Sequence, residues 1–200
     1  LLSTLSQEKI FIPSACGGRG TCGYCKIKVV EGAGPFLPTE APYLSEEEIK
    51  QGIRLSCQVK VKNDLKLYIP EELFNIRQYR AKVTAVNRMT HDINEYRFEL
   101  IEPAEIKFKP GQYVQLESKP YEKVRETVSR AYSISSVPSD KNIIGLIIRL
   151  VPGGMCTTYY FNHVKPGDEI IFSGPYGEFT IRDNEREMIC IAGGSGMAPI

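Results

Sequence analysis

The feature that constrains this chain most is a run of three cysteines and four glycines within the ten residues from Cys16 to Cys25. The cysteines follow the pattern C-x5-C-x2-C in the stretch ACGGRGTCGYC, and a fourth cysteine, Cys57, occurs later in RLSCQVKV. Thiols this close in sequence, on so flexible a segment, indicate either disulfide bonding or a shared metal centre. Which of the two applies decides what kind of domain surrounds them.

Three interpretations of the cysteines are open. Disulfides are typical of small secreted domains, and the chain shows no secretory signal. Structural zinc sites usually combine two C-x2-C pairs, whereas the distal cysteine here is single. Four thiolates, three from one loop and one from a distant strand, are the ligands of a [2Fe-2S] ferredoxin cluster, and the glycines favour it because their backbone N–H groups can point at the sulfurs. The predicted cluster ligands are Cys16, Cys22, Cys25 and Cys57.

The composition is that of an ordinary soluble globular protein. Of 200 residues, 42% are hydrophobic and 24% are charged, and the formal net charge of +1 gives no reason to expect nucleic acid as a partner. Apolar runs such as IIGLII are too short to form a membrane-spanning helix. The chain starts at Leu1 without Met and stops in a glycine-rich turn, so we interpret it as a fragment of a longer protein.

The first part of the chain resembles a [2Fe-2S] ferredoxin domain of the β-grasp fold, on the strength of ACGGRGTCGYC followed by RLSCQ. The resemblance implies a domain over residues 1–74 that lacks its first β-hairpin. Within it, CKIKVVEG predicts a strand, and LSEEEIKQG predicts a short helix capped by Ser45. The stretch SCQVKVKNDLKLYIP predicts two short strands that bend at Asn63 and Asp64.

From about Arg77 the pattern changes to short, regularly spaced strands. YRAKVTAVNRM, NEYRFELI, GQYVQLES, RAYSISSV and IGLIIRLV are alternating or continuous apolar runs, and VKPGDEIIFSGPYGEFTIR predicts two more strands. This spacing predicts an antiparallel β-barrel over residues 77–183. EMICIAGGSGMAPI then predicts a buried strand entering a glycine turn, as at the start of an α/β nicotinamide-binding domain over 184–200. The expected fold class is α+β.

Four motifs of the barrel region occur in one order: KPGQYV, RAYS, GGMCTT and GPYGEF. This order resembles the ferredoxin–NADP reductase superfamily, which implies a bound FAD. In that scheme Arg130 neutralises the pyrophosphate, Tyr132 stacks on the flavin ring and Ser133 reaches N5, so Tyr132 and Ser133 are the predicted catalytic residues. FMN in place of FAD, and an ordinary barrel strand at RAYS, are the alternatives. The other predicted FAD contacts are Ala131, Ile148, Arg149, Leu150, Gly153, Gly154, Met155, Cys156 and Thr157.

The turn IAGGSGMAP differs from the G-x-G-x-x-G fingerprint but resembles the same superfamily's turn for the nicotinamide pyrophosphate. The predicted contacts are Gly194, Gly196 and Pro199. The choice between NADH and NADPH is left open by these residues.

Nearly the whole chain is similar to the F subunits of the sodium-translocating NADH:quinone oxidoreductases, through LLSTL, LPTE, RLSCQVKVK, RAYS, GPYGEF and GGSGMAP. The resemblance implies an NADH-dependent oxidoreductase: a hydride passes from NADH to FAD, and single electrons pass to the [2Fe-2S] cluster and then to a quinone-linked or protein acceptor. The implied partners are a nicotinamide dinucleotide and an electron-accepting protein or membrane redox complex. The implied location is the cytoplasm, at the face of the inner membrane if a segment outside these residues provides attachment.

Two alternatives accompany this interpretation. The link between Gln112 and Arg130 is shorter than in those F subunits, as it would be in the soluble reductase component of a multicomponent oxygenase. The second alternative is an electron carrier whose flavin site does not function.

Overall fold

A computed structural model of the chain describes residues 1–181 and 186–200. The chain divides into two compact units, Leu1–Arg77 and Gln78–Ile200. The sequence-based boundary between the barrel and the nucleotide-binding segment, at 183 and 184, lies outside the described residues. No helix in the described part of the chain has both the length and the apolar composition needed to cross a bilayer.

The first unit contains a three-stranded antiparallel sheet, in which β1 lies between β2 and β3. Alternate side chains of β1, Ile27 and Val29, are buried, as expected of a strand with one face on a core. Leu5 of the first helix joins the same core. The elements are α1 (Leu2–Gln7), β1 (Lys26–Glu31), α2 (Glu46–Lys50), β2 (Ile53–Leu55) and β3 (Lys66–Tyr68), with 3-10 turns at Ala41–Tyr43 and Glu71–Asn75.

The predicted short helix is confirmed as α2, and Ser45 caps it. The Ser45 hydroxyl accepts the Glu48 N–H at 3.2 Å, and the Glu48 carboxylate accepts the Ser45 N–H at 2.8 Å, which together form a capping box. Such a cap stabilises a helix by about 1 kcal/mol, which matters for an element of five residues.

The stretch after β2 differs from the prediction, because the chain turns after Leu55 instead of continuing as a strand. The N–H groups of Gln58 and Val59 both donate to the Leu55 carbonyl, at 2.8 and 3.2 Å. The Ser56 N–H donates to the Cys25 carbonyl at 2.8 Å, which ties this turn to the cysteine loop. The alternation in QVKV therefore does not become a strand, since these backbone groups are used in the turn.

A buried ion pair connects β2 with the loop that precedes α2. Arg54 donates to both carboxylate oxygens of Glu40, with its shortest contact at 2.6 Å, and to the carbonyls of residues 33–35. Glu40 also accepts the N–H groups of Leu37 and Leu55. Its side chain is fully buried and that of Arg54 is 6% exposed, so the pair is enclosed by the fold.

The second unit confirms the predicted antiparallel barrel. Its strands are arranged in the order β7-β6-β9-β4-β5-β8. The two outer strands meet at a bridge between Ile134 and Leu146, where the Ser135 N–H also donates to the Gly145 carbonyl at 2.8 Å, so the sheet closes on itself. The strands are β4 (Arg77–Arg88), β5 (Ile93–Glu102), β6 (Tyr113–Ser118), β7 (Val128–Ser133), β8 (Ile143–Arg149) and β9 (Glu169–Tyr176).

The barrel core consists of the inward-facing side chains of these strands and one face of the helix α3 (Met155–His163). The Tyr96 hydroxyl donates to the Tyr160 carbonyl at 2.8 Å, and the Tyr160 hydroxyl donates to the Glu117 carbonyl at 2.7 Å. Both rings are completely buried, so α3 is fixed against the barrel by apolar packing and by satisfied polar groups. The fully buried aliphatic side chains of the core include Val114, Leu116, Ile144, Leu146 and Ile148.

Two predicted strands of the second unit are absent from the described residues. The stretch 177–181 has no strand after β9, and 187–193 has none before a 3-10 turn at Gly194–Met197. Ile189 and Ile191 are each 88% exposed, so the expected buried strand is wrong here. A strand needs hydrogen-bonded neighbours, and in the described part of the chain every strand is paired within one of the two sheets.

Candidate functional site

The cysteine loop is wound by glycines in a conformation that other residues rarely adopt. Gly20 and Gly23 have φ values of +73° and +72°. A Cβ at Gly20 would lie 2.6 Å from Nε2 of Gln58, and one at Gly23 would lie 2.9 Å from the Tyr43 ring. The loop therefore needs glycine both for its backbone and for its close approach to neighbouring segments.

The four predicted ligands form two close pairs. The sulfurs of Cys25 and Cys57 are 3.3 Å apart, and the thiols of Cys16 and Cys22 interact by a hydrogen bond. The described cysteines form no disulfide, and no three potential ligands among the described residues converge on one metal ion. A pairwise arrangement fits a [2Fe-2S] cluster, in which each of the two irons takes two thiolates, better than it fits a single zinc ion.

Cys57 is the most acidic of these thiols. The hydrogen bond from the Cys25 thiol lowers the pKa of Cys57, burial opposes this effect, and donors from Gln58 and the Gly20 N–H bring the pKa to about 6. The same hydrogen bond, in which Cys25 is the donor, raises the pKa of Cys25, and burial adds to the rise. One proton is thus shared by the pair, and a metal ion would replace it.

The other pair has the same asymmetry. Burial raises the pKa of Cys16, but hydrogen bonds from the Thr21 N–H, the Cys22 thiol and the Thr21 hydroxyl outweigh it and lower the pKa to about 7. Burial raises the pKa of Cys22. Each pair therefore contains one thiol that is ionised near neutral pH, which is the form that binds iron.

A serine hydroxyl beside the cysteines adds to the fit. Ser56 is fully buried, and its hydroxyl has no nitrogen or oxygen partner among the described residues. It lies against Cys25 and lowers the pKa of that thiol. A buried hydroxyl without a conventional partner is costly, and a sulfur ligand of a negatively charged cluster would be a suitable acceptor.

The flavin motif RAYS occupies β7, an outer strand of the sheet. Beyond the bridge at Ile134, the described residues show no ladder that pairs Tyr132 or Ser133 with β8. Their other edge is paired with β6, where Tyr132 faces Val114 and Ser133 faces Tyr113. Within the described residues, the free edge of β7 at Tyr132 and Ser133 is therefore not part of a ladder with β8.

The structure brings RAYS next to the GGMCTT motif. The Tyr132 hydroxyl and the Cys156 thiol are hydrogen-bonded, and the charge of Arg130 lowers the pKa of both groups. Burial, the largest effect, raises the pKa of Cys156 to about 11 and that of Tyr132 still further above its usual value. Nη1 of Arg130 also donates to the Ser129 carbonyl at 2.6 Å. Arg130, Tyr132 and the first turn of α3 thus form one cluster.

The start of α3 is shaped by its glycines and by Thr157. Gly153 has φ +71° and open space where a Cβ would stand, and Gly154 is the N-cap residue. The Thr157 hydroxyl donates to the Gly154 carbonyl at 3.2 Å and accepts the Val151 N–H, also at 3.2 Å. The carbonyl of Met155 accepts the Tyr121 hydroxyl at 2.7 Å. Thr157 therefore shapes the helix N-terminus, where the first backbone N–H groups are available to an anion by helix geometry.

The remaining predicted flavin contacts lie at the end of β8. The Ile148 side chain is fully buried in the barrel, and the Arg149 side chain bonds Asp92 at 2.7 Å. The Leu150 N–H donates to the Asp92 carbonyl at 2.8 Å. The side chains of Ile148 and Arg149 are therefore already engaged, whereas Leu150 is held through its backbone N–H.

The nicotinamide motif lies close to the same end of β8. Gly194 and Gly196 are in the 3-10 turn, and a Cβ at Gly194, where φ is +57°, would be 3.7 Å from Cδ1 of Ile93. Ile93 pairs with Arg149 in the sheet. Pro199 follows the turn and is half-buried.

Sequence reasoning missed three polar side chains near the cysteines: Thr39, Ser56 and Gln58. In the predicted strand, Ser56 and Gln58 would point away from the face that carries Cys57. The observed turn after Leu55 instead brings Ser56 and Gln58 close to the sulfurs of Cys25 and Cys57, and Thr39 donates to the Gln58 amide. For Ser56 and Gln58, the one sequence signal of a role near the cysteines was their position next to Cys57. For Thr39 the sequence contained no such signal.

Comparison with protein families confirms both predicted cofactor domains. The 2Fe-2S iron–sulfur cluster binding domain model matches residues 1–62, and the oxidoreductase FAD-binding domain model matches residues 80–181. The first match contains all four paired cysteines, and the second contains RAYS, GGMCTT and GPYGEF.

The resemblance to the F subunits is also confirmed. The Na(+)-translocating NADH-quinone reductase F subunits of Histophilus somni and of Neisseria meningitidis serogroup C are each 37% identical to this chain over 235 aligned positions. The alignments cover 100% of this chain and 58% of each relative, so the chain spans little more than half the length of these relatives.

Two solved structures are similar over the whole chain. The Amycolatopsis cytochrome P450 reductase GcoB is 28% identical with a TM-score of 0.69, covering 100% of this chain and 60% of that one. The ferredoxin reductase in carbazole 1,9a-dioxygenase is 28% identical with a TM-score of 0.69, covering 99% of this chain and 61% of that one. Both are described as reductases.

Proposed function

Because this chain belongs to the oxidoreductase FAD-binding domain family and carries a 2Fe-2S iron–sulfur cluster binding domain, we propose that it is part of an NADH-dependent electron-transfer reductase. The observation that carries the proposal is the pairing of Cys16 with Cys22 and of Cys25 with Cys57, in a chain whose other unit has a flavin-type barrel. When bound, FAD accepts the two electrons of a hydride and the cluster takes them one at a time. The final acceptor is a quinone-linked centre or a protein.

In this proposal, the first unit supplies a cluster site made of four thiolates and their donors. The N–H groups of Gly20 and Thr21 lower the pKa of Cys57 and Cys16, so one thiolate of each pair is available at neutral pH. The same donors stabilise the negative charge that the cluster would bring to the loop. The Ser56 hydroxyl adds a further donor on the buried side, next to Cys25.

The second unit holds the flavin with residues of β7 and α3. The Arg130 guanidinium would pair with the pyrophosphate, and backbone N–H groups in the first turn of α3 would donate to the same oxygens. The Tyr132 ring would pack on the flavin, and its hydroxyl, bonded to Cys156, would limit its rotation. Ser133 would donate a hydrogen bond to N5, and Ala131 and residues 148–150 would border the ring.

The nicotinamide is bound by the turn that contains Gly194, Gly196 and Pro199, beside the end of β8. NADH is favoured over NADPH because the curated relatives are described as belonging to NADH-quinone reductases. The same description supports association with a membrane redox complex, and we propose that the chain acts at its cytoplasmic face. The formal net charge of +1 gives no reason to expect a nucleic acid partner.

A second candidate function is that of a reductase which delivers electrons to an oxygenase. It is favoured by the likeness, over the whole chain, to a cytochrome P450 reductase and to the ferredoxin reductase of a carbazole dioxygenase. The two candidates share every step up to the cluster and differ only in the acceptor. Reduction of a quinone analogue, compared with reduction of an oxygenase-type ferredoxin or heme protein, distinguishes them.

The test of the proposed function is the cofactor content and redox behaviour of the full-length protein. We expect about two irons for each FAD, with overlapping flavin and cluster absorption in the visible range. Addition of NADH under anaerobic conditions should bleach both absorptions. A colourless preparation that contains zinc would contradict the proposal.

We expect Tyr132→Ala to weaken FAD binding about tenfold, since a stacked aromatic ring contributes on the order of 1 kcal/mol and the loss also opens space beside the flavin. FAD dissociation measured by fluorescence after dilution checks this. Tyr132→Phe keeps the ring and should retain FAD nearly as well, and Tyr68→Ala, at a tyrosine that is 60% exposed in the other unit, should change nothing. Equal FAD affinity in Tyr132→Ala and in the unaltered protein would show that the ring does not stack on the flavin.

A further inference from the structure

Two side chains from separate segments form a short hydrogen-bonded series that ends on a ligand sulfur. Nε2 of Gln58, in the turn after β2, donates to Sγ of Cys57 at 3.4 Å. Oε1 of the same amide accepts the Thr39 hydroxyl at 2.9 Å, and Thr39 belongs to the loop before α2. We call these three residues, Thr39, Gln58 and Cys57, the Thr-Gln-Cys series.

The direction of this series is determined by its chemistry. A thiolate that binds iron can only accept hydrogen bonds, so the Gln58 amide must turn its NH2 group towards Cys57. Its carbonyl oxygen then faces away and needs a donor, which the Thr39 hydroxyl supplies. Thr39 therefore favours the one orientation of the amide that stabilises negative charge on the sulfur.

The surrounding residues hold both ends of the series in place. Gly20 leaves room for the amide, because a Cβ there would be 2.6 Å from Nε2 and 3.0 Å from Cδ of Gln58. The Gly20 N–H is itself a donor to Cys57. On the other side, Thr39 precedes Glu40, whose buried pairing with Arg54 fixes the loop. The amide is thus confined between two rigid segments.

We propose that Gln58 sets the reduction potential of the cluster through this hydrogen bond and that Thr39 is its positioning residue. The inference rests on the proposed function, because it requires a cluster on Cys57. Reduction adds one electron and no proton, so the ligand sulfurs become more negative. A donor to sulfur stabilises the reduced form more than the oxidised form and raises the potential.

The experiment is a redox titration of the cluster in the full chain, followed by the EPR signal of the reduced form. In Gln58→Leu we expect the ratio of reduced to oxidised cluster at a fixed potential to fall about tenfold, a downward shift of about 59 mV for one electron. Thr39→Val should shift the potential in the same direction by a smaller amount. Thr39→Ser retains the hydroxyl and should match the unaltered protein, and so should the control Gln51→Leu at an exposed glutamine of the same unit.

The outcomes separate this inference from the proposed function. Iron and acid-labile sulfide are measured first, and their absence from the unaltered protein would overturn the proposed function. If they are present, an unchanged potential in Gln58→Leu would overturn the inference. If Gln58→Leu loses the cluster, Thr39→Val decides, since the exposed Thr39 makes no contact with iron: a lowered potential supports the series, and an unchanged potential overturns it.

Discussion

Replacing Cys57 with serine removes the cluster and leaves FAD bound. Cys57 is the one predicted ligand outside the cysteine loop, and its sulfur is 3.3 Å from that of Cys25. A serine hydroxyl ionises far less readily than a thiol whose pKa is about 6, so the iron shared with Cys25 would lose half of its protein ligands. We expect iron content to fall by about tenfold or more.

The flavin should remain because its predicted contacts all belong to the second unit, residues 78–200. Iron and FAD are quantified on the same purified sample, and the visible spectrum should reduce to that of a flavoprotein. Cys190→Ser, at an exposed cysteine of the second unit, is the matched control and should keep both cofactors. Retention of iron in Cys57→Ser would show that the ligand is assigned wrongly, and loss of both cofactors would contradict independent cofactor sites in the two units.

The parts of the fold that the sequence predicted well are those determined by local pattern. The spacing of Cys16, Cys22 and Cys25 predicted the cysteine loop, because the thiols are neighbours in sequence and their glycines allow a tight backbone. Ser45, as a helix-capping residue, predicted the capped helix for the same reason. Alternating apolar residues predicted the barrel strands. In the middle of β4 and in the second half of β5, the side chains that are buried alternate with exposed ones, and the buried ones are apolar.

The errors arose where distant partners decide the structure. QVKV has the alternation of a strand. However, the N–H groups of Gln58 and Val59 donate to the Leu55 carbonyl in a turn, and the Ser56 N–H connects this turn to the cysteine loop. Residues 187–193 have the apolar character of a buried strand, but hydrogen-bonded neighbours and not composition determine whether a strand forms. The contact of Thr39 with Gln58 spans 19 positions and has no local signature.

The buried ion pair between Glu40 and Arg54 could not be predicted either, because charged residues are usually exposed and a sequence does not show which are paired.

Replacing Arg54 with methionine should destabilise the first unit by about 3–5 kcal/mol. The reason is that the fully buried carboxylate would lose its guanidinium and the carbonyls of residues 33–35 would lose their donors.

Urea unfolding, followed by the absorption of the cluster, measures this effect. With an m value of about 1–3 kcal/mol/M, the midpoint should fall by roughly 1 M or more. The matched control is Lys66→Met, because Lys66 pairs with Glu31 on an exposed surface of the same unit, where such pairs contribute about 0–1 kcal/mol. Similar midpoint shifts for the two variants would show that burial of the pair has no special importance.

The pH dependence distinguishes loss of charge pairing from loss of packing. Burial raises the pKa of Glu40, but hydrogen bonds from Arg54 and from the N–H groups of Leu55 and Leu37 outweigh it and lower the pKa below its usual value of 4.5. The unaltered protein therefore has this stabilisation in full above the unfolded pKa and loses it as pH falls through the lower folded pKa. In Arg54→Met, burial is no longer opposed by the guanidinium, so Glu40 should take up a proton at higher pH.

The difference in stability between Arg54→Met and the unaltered protein should consequently be greatest near neutral pH and shrink in acid, because a protonated Glu40 no longer needs a cation. The double variant Glu40→Leu with Arg54→Met removes both charges, and since well-packed apolar pairs often replace buried ion pairs without loss, it should be more stable than Arg54→Met alone. A difference that is constant with pH, together with a double variant no more stable than the single one, would mean that Arg54 acts through its carbonyl contacts at residues 33–35 and not through Glu40.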